Sequence, residues 1–301
     1  MTLLIGTAAW ADPSLIGCGR FYPPDCRTPE ARLRFYATRF RLVEVDSSFY
    51  AMPRPTVAHQ WAQRTPEGFT FNVKAFRLFT GHATPPQSLD ADLRRALGPE
   101  ATTGAPPLYY PHVPGEIRDE LWRRFEMALE PLRQAGRLGL VHFQYAPWVR
   151  RNRAGLAHVR ACAERLFDAF TVSTEFRHHS WFEGAHAAST LALQRELGTV
   201  HTVVDQPQGF DNSVPPVWAA THPSVALVRL HGRNARTWNA PAGSRSTGRF
   251  DHDYQDEELA DLSRRIRTLA EQVVNAHVVF NNNHEDQGQR NARTLRGILQ
   301  A

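Results

Sequence analysis

Short runs rich in valine, leucine and phenylalanine recur along the chain at residues 3–6, 42–46, 69–74, 138–144, 170–176, 200–205, 225–231 and 277–281. Each is bounded by polar or turn-forming residues and has the length of a buried strand. Between them, apolar residues fall at helical spacing. Leu121, Phe125, Ala128, Leu129 and Leu132 share one face, as do Leu259, Leu262, Ile266, Leu269 and Val273, and Leu156, Val159, Ala163 and Leu166. Eight strands alternating with helices from end to end predict parallel pairing with right-handed crossovers. In 301 residues that is an α/β fold of the size of a single (β/α)8 TIM-type barrel. An open doubly wound sheet is the competing architecture. It is weakened because the first strand leads into Gly6-Thr7-Ala8-Ala9-Trp10, without a G-x-G-x-x-G turn. Residues 79–115, with Pro85-Pro86 and Gly104-Ala105-Pro106-Pro107, break the pattern. They read as a lid-like elaboration after the third strand, too short for a core of its own.

The same alternation sorts the chemistry. In a barrel of this kind the reacting groups sit at the carboxyl ends of the strands. Period-two geometry puts Glu44 with Asp46, Glu175 with Arg177 and Arg229 with His231, each pair on one face. Val43, Val45, Val228 and Leu230 occupy the opposite face and suit packing on helices, so the charged face is the interior. Lys74, Gln144, Asp205 and Asn281 end four further strands. Burying so many ionisable groups is costly unless they pair or line a wet cavity. Lys74, Glu44, Glu175, His231 and Asp205 are therefore the candidate catalytic residues.

Lys74 is the one lysine among 35 basic residues. A primary amine can form an imine or move a proton near neutral pH, and a guanidinium cannot. The competing role is an ion pair with Glu44 or Glu175. Glu44, Glu175, Asp205 and His231 either divide acid and base work, hold a divalent metal, or form a metal-free network. With no H-E-x-x-H spacing, the metal is not favoured. Arg229, Arg233, Asn281 and Asn283 precede Gly288 and Arg290 at the opening of the last helix, where barrels often hold a phosphate. The alternative is that both arginines neutralise the interior carboxylates. Trp10, Phe49, Tyr50, Tyr145, Trp148, Trp181 and Trp238 all follow strands, and either stack on a sugar or base or plug the barrel top. Trp10, Tyr50 and Arg177 complete the candidate binding set.

Composition narrows the partners. A net charge of +5 and pI near 9.4 fit a small anionic ligand and are compatible with nucleic acid. No apolar run has the length of a bilayer span, so no membrane role is expected. Three sparse cysteines (Cys18, Cys26, Cys162) predict free thiols in a cytoplasmic protein.

Six motifs then occur in order: Ile5-Gly6-Thr7-Ala8-Ala9-Trp10, Glu44-Val45-Asp46-Ser47-Ser48-Phe49-Tyr50, Phe69-Thr70-Phe71-Asn72-Val73-Lys74, Glu175-Phe176-Arg177-His178-His179-Ser180-Trp181, Arg229-Leu230-His231-Gly232-Arg233 and Asn281-Asn282-Asn283-His284. Together they resemble the YecE-like family, domain of unknown function 72, over nearly the whole chain. The family pattern often has Ser before the first Trp, where this chain has Ala9. The resemblance implies a TIM-type barrel but supplies no reaction. Three functions stay open: an enzyme using acid–base or lysine chemistry on a small phosphate- or sugar-containing substrate, a metal-dependent nucleic-acid phosphodiesterase, and a non-catalytic nucleotide or nucleic-acid binding protein.

Overall fold

In the computed structural model, which describes residues 1–101, 104–166, 169–239 and 246–300, eight parallel strands close into a barrel in chain order. They are β1 (Thr2–Ala8), β2 (Leu42–Val45), β3 (Thr70–Lys74), β4 (Leu138–Gln144), β5 (Val172–Glu175), β6 (Val200–Asp205), β7 (Val225–Leu230) and β8 (Asn275–Phe280). β8 pairs with β1 and leaves no free edge. Helices α1 (Pro13–Gly17) and α2 (Pro29–Arg39) follow β1, α3 (Pro55–Gln63) follows β2, and α4 (Ala91–Leu97) and α5 (Gly115–Gln134) follow β3. Next come α6 (Arg153–Leu166), α7 (His186–Glu196), α8 (Ser246–Arg249), α9 (Asp256–Ala270) and the closing α10 (Gln287–Gln300). Among the described residues, no helix is long and apolar enough to cross a membrane.

Two expectations need correction. The strand–helix alternation is incomplete, because residues 206–224 between β6 and β7 hold no helix. Pro207, Pro215, Pro216 and Pro223 each remove a helical N–H donor there. Residues 79–115 are not one irregular loop. Leu89, Leu93 and Leu97 recur every four residues and are buried, forming α4 and its approach. Phe79 stacks on Trp122 of α5 at 3.8 Å, and Arg124 pairs with Asp90 and Asp92. The body of the segment is thus fastened to α5, and it is residues 77–82 that approach Phe49 at the strand ends.

Two apolar layers build the barrel. Leu42, Leu140, Val200, Val225, Leu227 and Val279 fill the interior with Leu4 and Ala8. The outward residues of the strands join the helices in the larger core. Asn72 mends an irregularity between β3 and β4: its Oδ1 accepts the Leu140 N–H at 3.0 Å and the His277 ring nitrogen at 3.0 Å. Gly6 is required by closeness, since a Cβ there would lie 1.9 Å from the Leu42 carbonyl oxygen. Gly6→Ala is therefore expected to cost about 1–3 kcal/mol through forced backbone movement, measurable by urea unfolding.

Candidate functional site

Above the apolar plug, inward residues of five strands meet in a dry ion network. Arg229 is at its centre and fully buried. Its Nη2 donates to Glu44 Oε1 at 2.6 Å, while Nη1 donates to Glu175 Oε2 at 2.6 Å and Gln144 Oε1 at 3.0 Å. Arg177 Nη1 donates to the second oxygen of Glu175 at 2.9 Å. Two guanidiniums against two carboxylates leave the network formally neutral, which is what makes its burial affordable. The planar fork of arginine is what spans two carboxylates at once. Burial alone would raise the Glu175 carboxyl, but Arg229 and then His231 hold it well below the usual range.

His231 completes this layer as a neutral ring. Asn281 Nδ2 lies 2.8 Å from Nδ1, and Glu175 Oε1 lies 3.1 Å from Nε2. With Asn281 donating, Nδ1 accepts and Nε2–H donates to Glu175. Burial pushes the ring down to about 3 against the opposing pull of Glu175. Burial likewise lowers His277 and His201 to about 4 each. An unfolded histidine takes up its proton near 6.5, so the unfolded chain binds more protons than the native one below that pH. Stability is thus full above about 6.5 and falls as the medium is acidified towards 4, by up to about 1.4 kcal/mol per pH unit for each buried imidazole. Urea unfolding at pH 7.5, 6.0 and 5.0 checks this.

Several residues picked out in the sequence go elsewhere. Asp205 does not join Glu44, Glu175 and His231. It pairs in register with Leu230, which faces outward, and its carboxylate takes both forks of Arg233 and the Tyr254 hydroxyl. Arg233 also reaches Glu258 at 2.8 Å, so it neutralises carboxylates. Arg229 does the same inside the barrel. The expected phosphate position at the opening of α10 carries Asp286, held by Arg20 and Arg290. Trp10 turns away where Ala9 adopts a φ of 106°, and packs on Trp61 and Phe71 in the outer core. Trp181, Trp238 and Tyr145 are buried. The Asn283 carbonyl accepts from Ser14. With Asp205 on the outward face, the four residues considered as metal ligands do not converge, and among the described residues no group of three or more His, Cys, Asp or Glu side chains is arranged to hold a metal ion.

The open part of the site lies at the mouth. Lys74 Nζ donates to Asp46 Oδ1 at 2.7 Å, and not to Glu44 or Glu175, the partners of the competing ion-pair role. The lysine side chain is 7% exposed and the aspartate 29%, so solvent reaches the carboxylate. Ser48 fixes the turn that carries Asp46, its hydroxyl lying 2.7 Å from the carbonyls of Val45 and Lys74. Nζ also lies 4.6 Å from the Phe49 ring centre. Burial raises the Asp46 carboxyl, yet Lys74, with help from Arg229 and His142, brings it below its ordinary value. His82 rests edge-on to Phe49 and Trp148. Burial first, then Lys74, Arg77 and Arg177, lower it to about 3, so it too is neutral. Tyr50 and Trp148 are each about half exposed on the rim.

Sequence reasoning missed His142, His82 and Arg77. His142 was legible, since it shares the inner face of β4 with Leu140 and Gln144. His82 and Arg77 lie beyond the strand end, where no periodicity applies.

A family model described as a protein of unknown function, DUF72, matches residues 4–301. The chain belongs to the DUF72 family. This bears out the resemblance carried by the six motifs. The UPF0759 protein YunF of Bacillus subtilis is 30% identical over 299 residues, covering 99% of this chain and 94% of the relative. A solved DUF72 protein of Enterococcus faecalis superposes with a TM-score of 0.79 at 23% identity, covering 100% of this chain and 96% of that one. One from Thermotoga maritima gives 0.76 at 24% identity, with both chains fully covered. These two share the DUF72 barrel fold.

Proposed function

We propose that this DUF72 barrel is an enzyme carrying out acid–base chemistry on a small anionic substrate of the sugar-phosphate class, with Asp46 and Lys74 as the working pair. The observation that carries this reading is the contrast between two layers. Glu44, Arg229, Glu175 and His231 are sealed from solvent and paired with one another, so they hold shape. Directly above, Lys74 is paired with Asp46, whose carboxylate is open to the mouth. Asp46 accepts a proton from the substrate. Lys74 donates a hydrogen bond or proton to the oxygen on which negative charge develops. Lys74 meets the substrate as an ion-paired ammonium, which suits donation and not attack on a carbonyl.

Two further features support the substrate class. Arg77 has no carboxylate partner among the described residues and lies 5.4 Å from the Phe49 ring, at the rim. With Lys74 it makes the mouth cationic, which favours a phosphate or carboxylate. The exposed rings of Tyr50 and Trp148 suit the apolar face of a sugar.

Thermal-shift titration against a panel of sugar phosphates tests the reading, followed by proton NMR of the stabilising compounds in deuterated water. At least one should raise the Tm, then be converted or exchange a carbon-bound proton for deuterium. Asp46→Asn should stop that exchange and keep the Tm rise. A compound that binds the wild type without turnover or exchange would make this a binding protein. Binding of oligonucleotides alone, if Lys74→Met abolishes it, would return the mouth to the nucleic-acid reading.

A further inference from the structure

A second site lies on the outside of the barrel, away from Asp46 and Lys74. Helices α2 and α10, with Arg20 and Phe21, enclose a groove of about 310 Å³. Its lining includes five arginines (Arg20, Arg39, Arg290, Arg293, Arg296) and a single carboxylate, Asp286. Helix α10 carries three of them at intervals of three residues, with no acidic residue along its 14 positions. Arg20 and Arg290 both face Asp286. Among the described residues, Arg39 and Arg293 have no carboxylate within 4.0 Å. Arg296 donates to the Arg39 carbonyl at 2.7 Å, which draws the two helices together.

On other helix faces an exposed arginine can have an acidic neighbour one turn away, as in Arg34–Glu30, Arg133–Glu130 and Arg265–Asp261. In the groove the positive charges accumulate instead. Such crowding is unfavourable for the protein alone and favourable once an anion enters. The floor is aromatic: Phe21 and Phe40 lie stacked at 6.3 Å, and Arg39 sits 5.0 Å over the ring of Phe35. Phe21 and Phe35 are only partly buried. Guanidinium forks match phosphate oxygens, and partly open rings accept a planar ring by stacking. The volume sits at the lower end of the range for ligand pockets, about 300–1,000 Å³.

We infer that the groove between α2 and α10 binds a nucleotide, either free or as one unit of a single strand. Arg39, Arg293 and Arg296 hold the phosphate, and Phe21 and Phe35 receive the base. This site is independent of the chemistry proposed at the mouth.

The test uses the full chain at low salt. Binding of a fluorescein-labelled deoxythymidine decamer is followed by anisotropy, and binding of ATP and of inorganic pyrophosphate by calorimetry. The Arg39→Gln/Arg293→Gln double variant should keep the wild-type Tm and lose at least about tenfold in affinity. For the decamer, the slope of log affinity against log salt should fall by about 1.4, for two lost phosphate contacts. Phe35→Leu should weaken ATP and leave pyrophosphate unchanged. Binding of both ATP and the decamer identifies a free nucleotide as sufficient; binding of the decamer alone identifies the strand. The inference is overturned if nothing binds, if the double variant binds like the wild type, or if pyrophosphate binds as tightly as ATP. Loss of binding in Lys74→Met with the double variant unaffected would move the ligand to the mouth and equally overturn it.

Discussion

Arg229→Met should destabilise the barrel by about 3–5 kcal/mol, a fall in Tm of roughly 5–8 °C for a chain of this length. Methionine fills much the same volume, so the loss is not a cavity. The cost arises because Glu44 and Glu175, both fully buried, lose the cation that neutralises them. Glu44 is hit harder: its Oε1 loses the Arg229 bond, and its Oε2 has no hydrogen-bond partner among the described residues. Glu175 keeps Arg177 and His231. Adding Glu44→Gln to Arg229→Met removes the stranded charge and should recover part of the loss. Urea unfolding of the two single variants and the double gives the coupling energy directly. A wild-type Tm in Arg229→Met would mean that water or a relaxed carboxylate already serves Glu44, and the layer would no longer count as dry scaffold.

That scaffold was legible in the sequence because strand geometry is simple. Side chains two apart share a face, so Glu175 with Arg177 and Arg229 with His231 were bound to converge once eight parallel strands closed. Where parity was ambiguous the reading failed. Strand β6 is apolar on both faces, through Val203 and Val204, and nothing local says which way Asp205 points. Its register with Leu230 decides that, and register is a long-range property. Lys74 was marked by its chemistry, but its partner was not. Asp46 stands one residue past the last paired position of β2, where a short turn held by Ser48 aims the side chain. The helical spacing of Leu89, Leu93 and Leu97 was hidden by the prolines around it. The residues proposed to act at the mouth sit largely where regular structure stops, and periodicity says least about them.

The kinetic consequence is the sharper of the two large effects. On a sugar phosphate that the wild type converts, Asp46→Asn should lower kcat by about 10²–10⁴ with little change in KM. Asparagine keeps the size and the hydrogen bond but cannot take the proton. Lys74→Arg keeps a positive charge beside Asp46, so a lysine that merely balances charge tolerates it. A lysine that hands a proton to the substrate does not, because a guanidinium holds its proton throughout the working range. The second outcome is expected, with a fall of similar size. The pH profile adds a readout that misfolding would not imitate. Lys74 keeps the Asp46 carboxyl below its ordinary value of 3.8, so the base remains ionised in the free enzyme, and the acid limb of kcat/KM lies below that pH. In Lys74→Met the ammonium is gone and burial acts unopposed at close range, which raises the carboxyl. The residual activity should then fall away at a higher pH than in the wild type. An acid limb that stays put when the lysine is removed would show that Asp46 is not the group whose ionisation limits turnover.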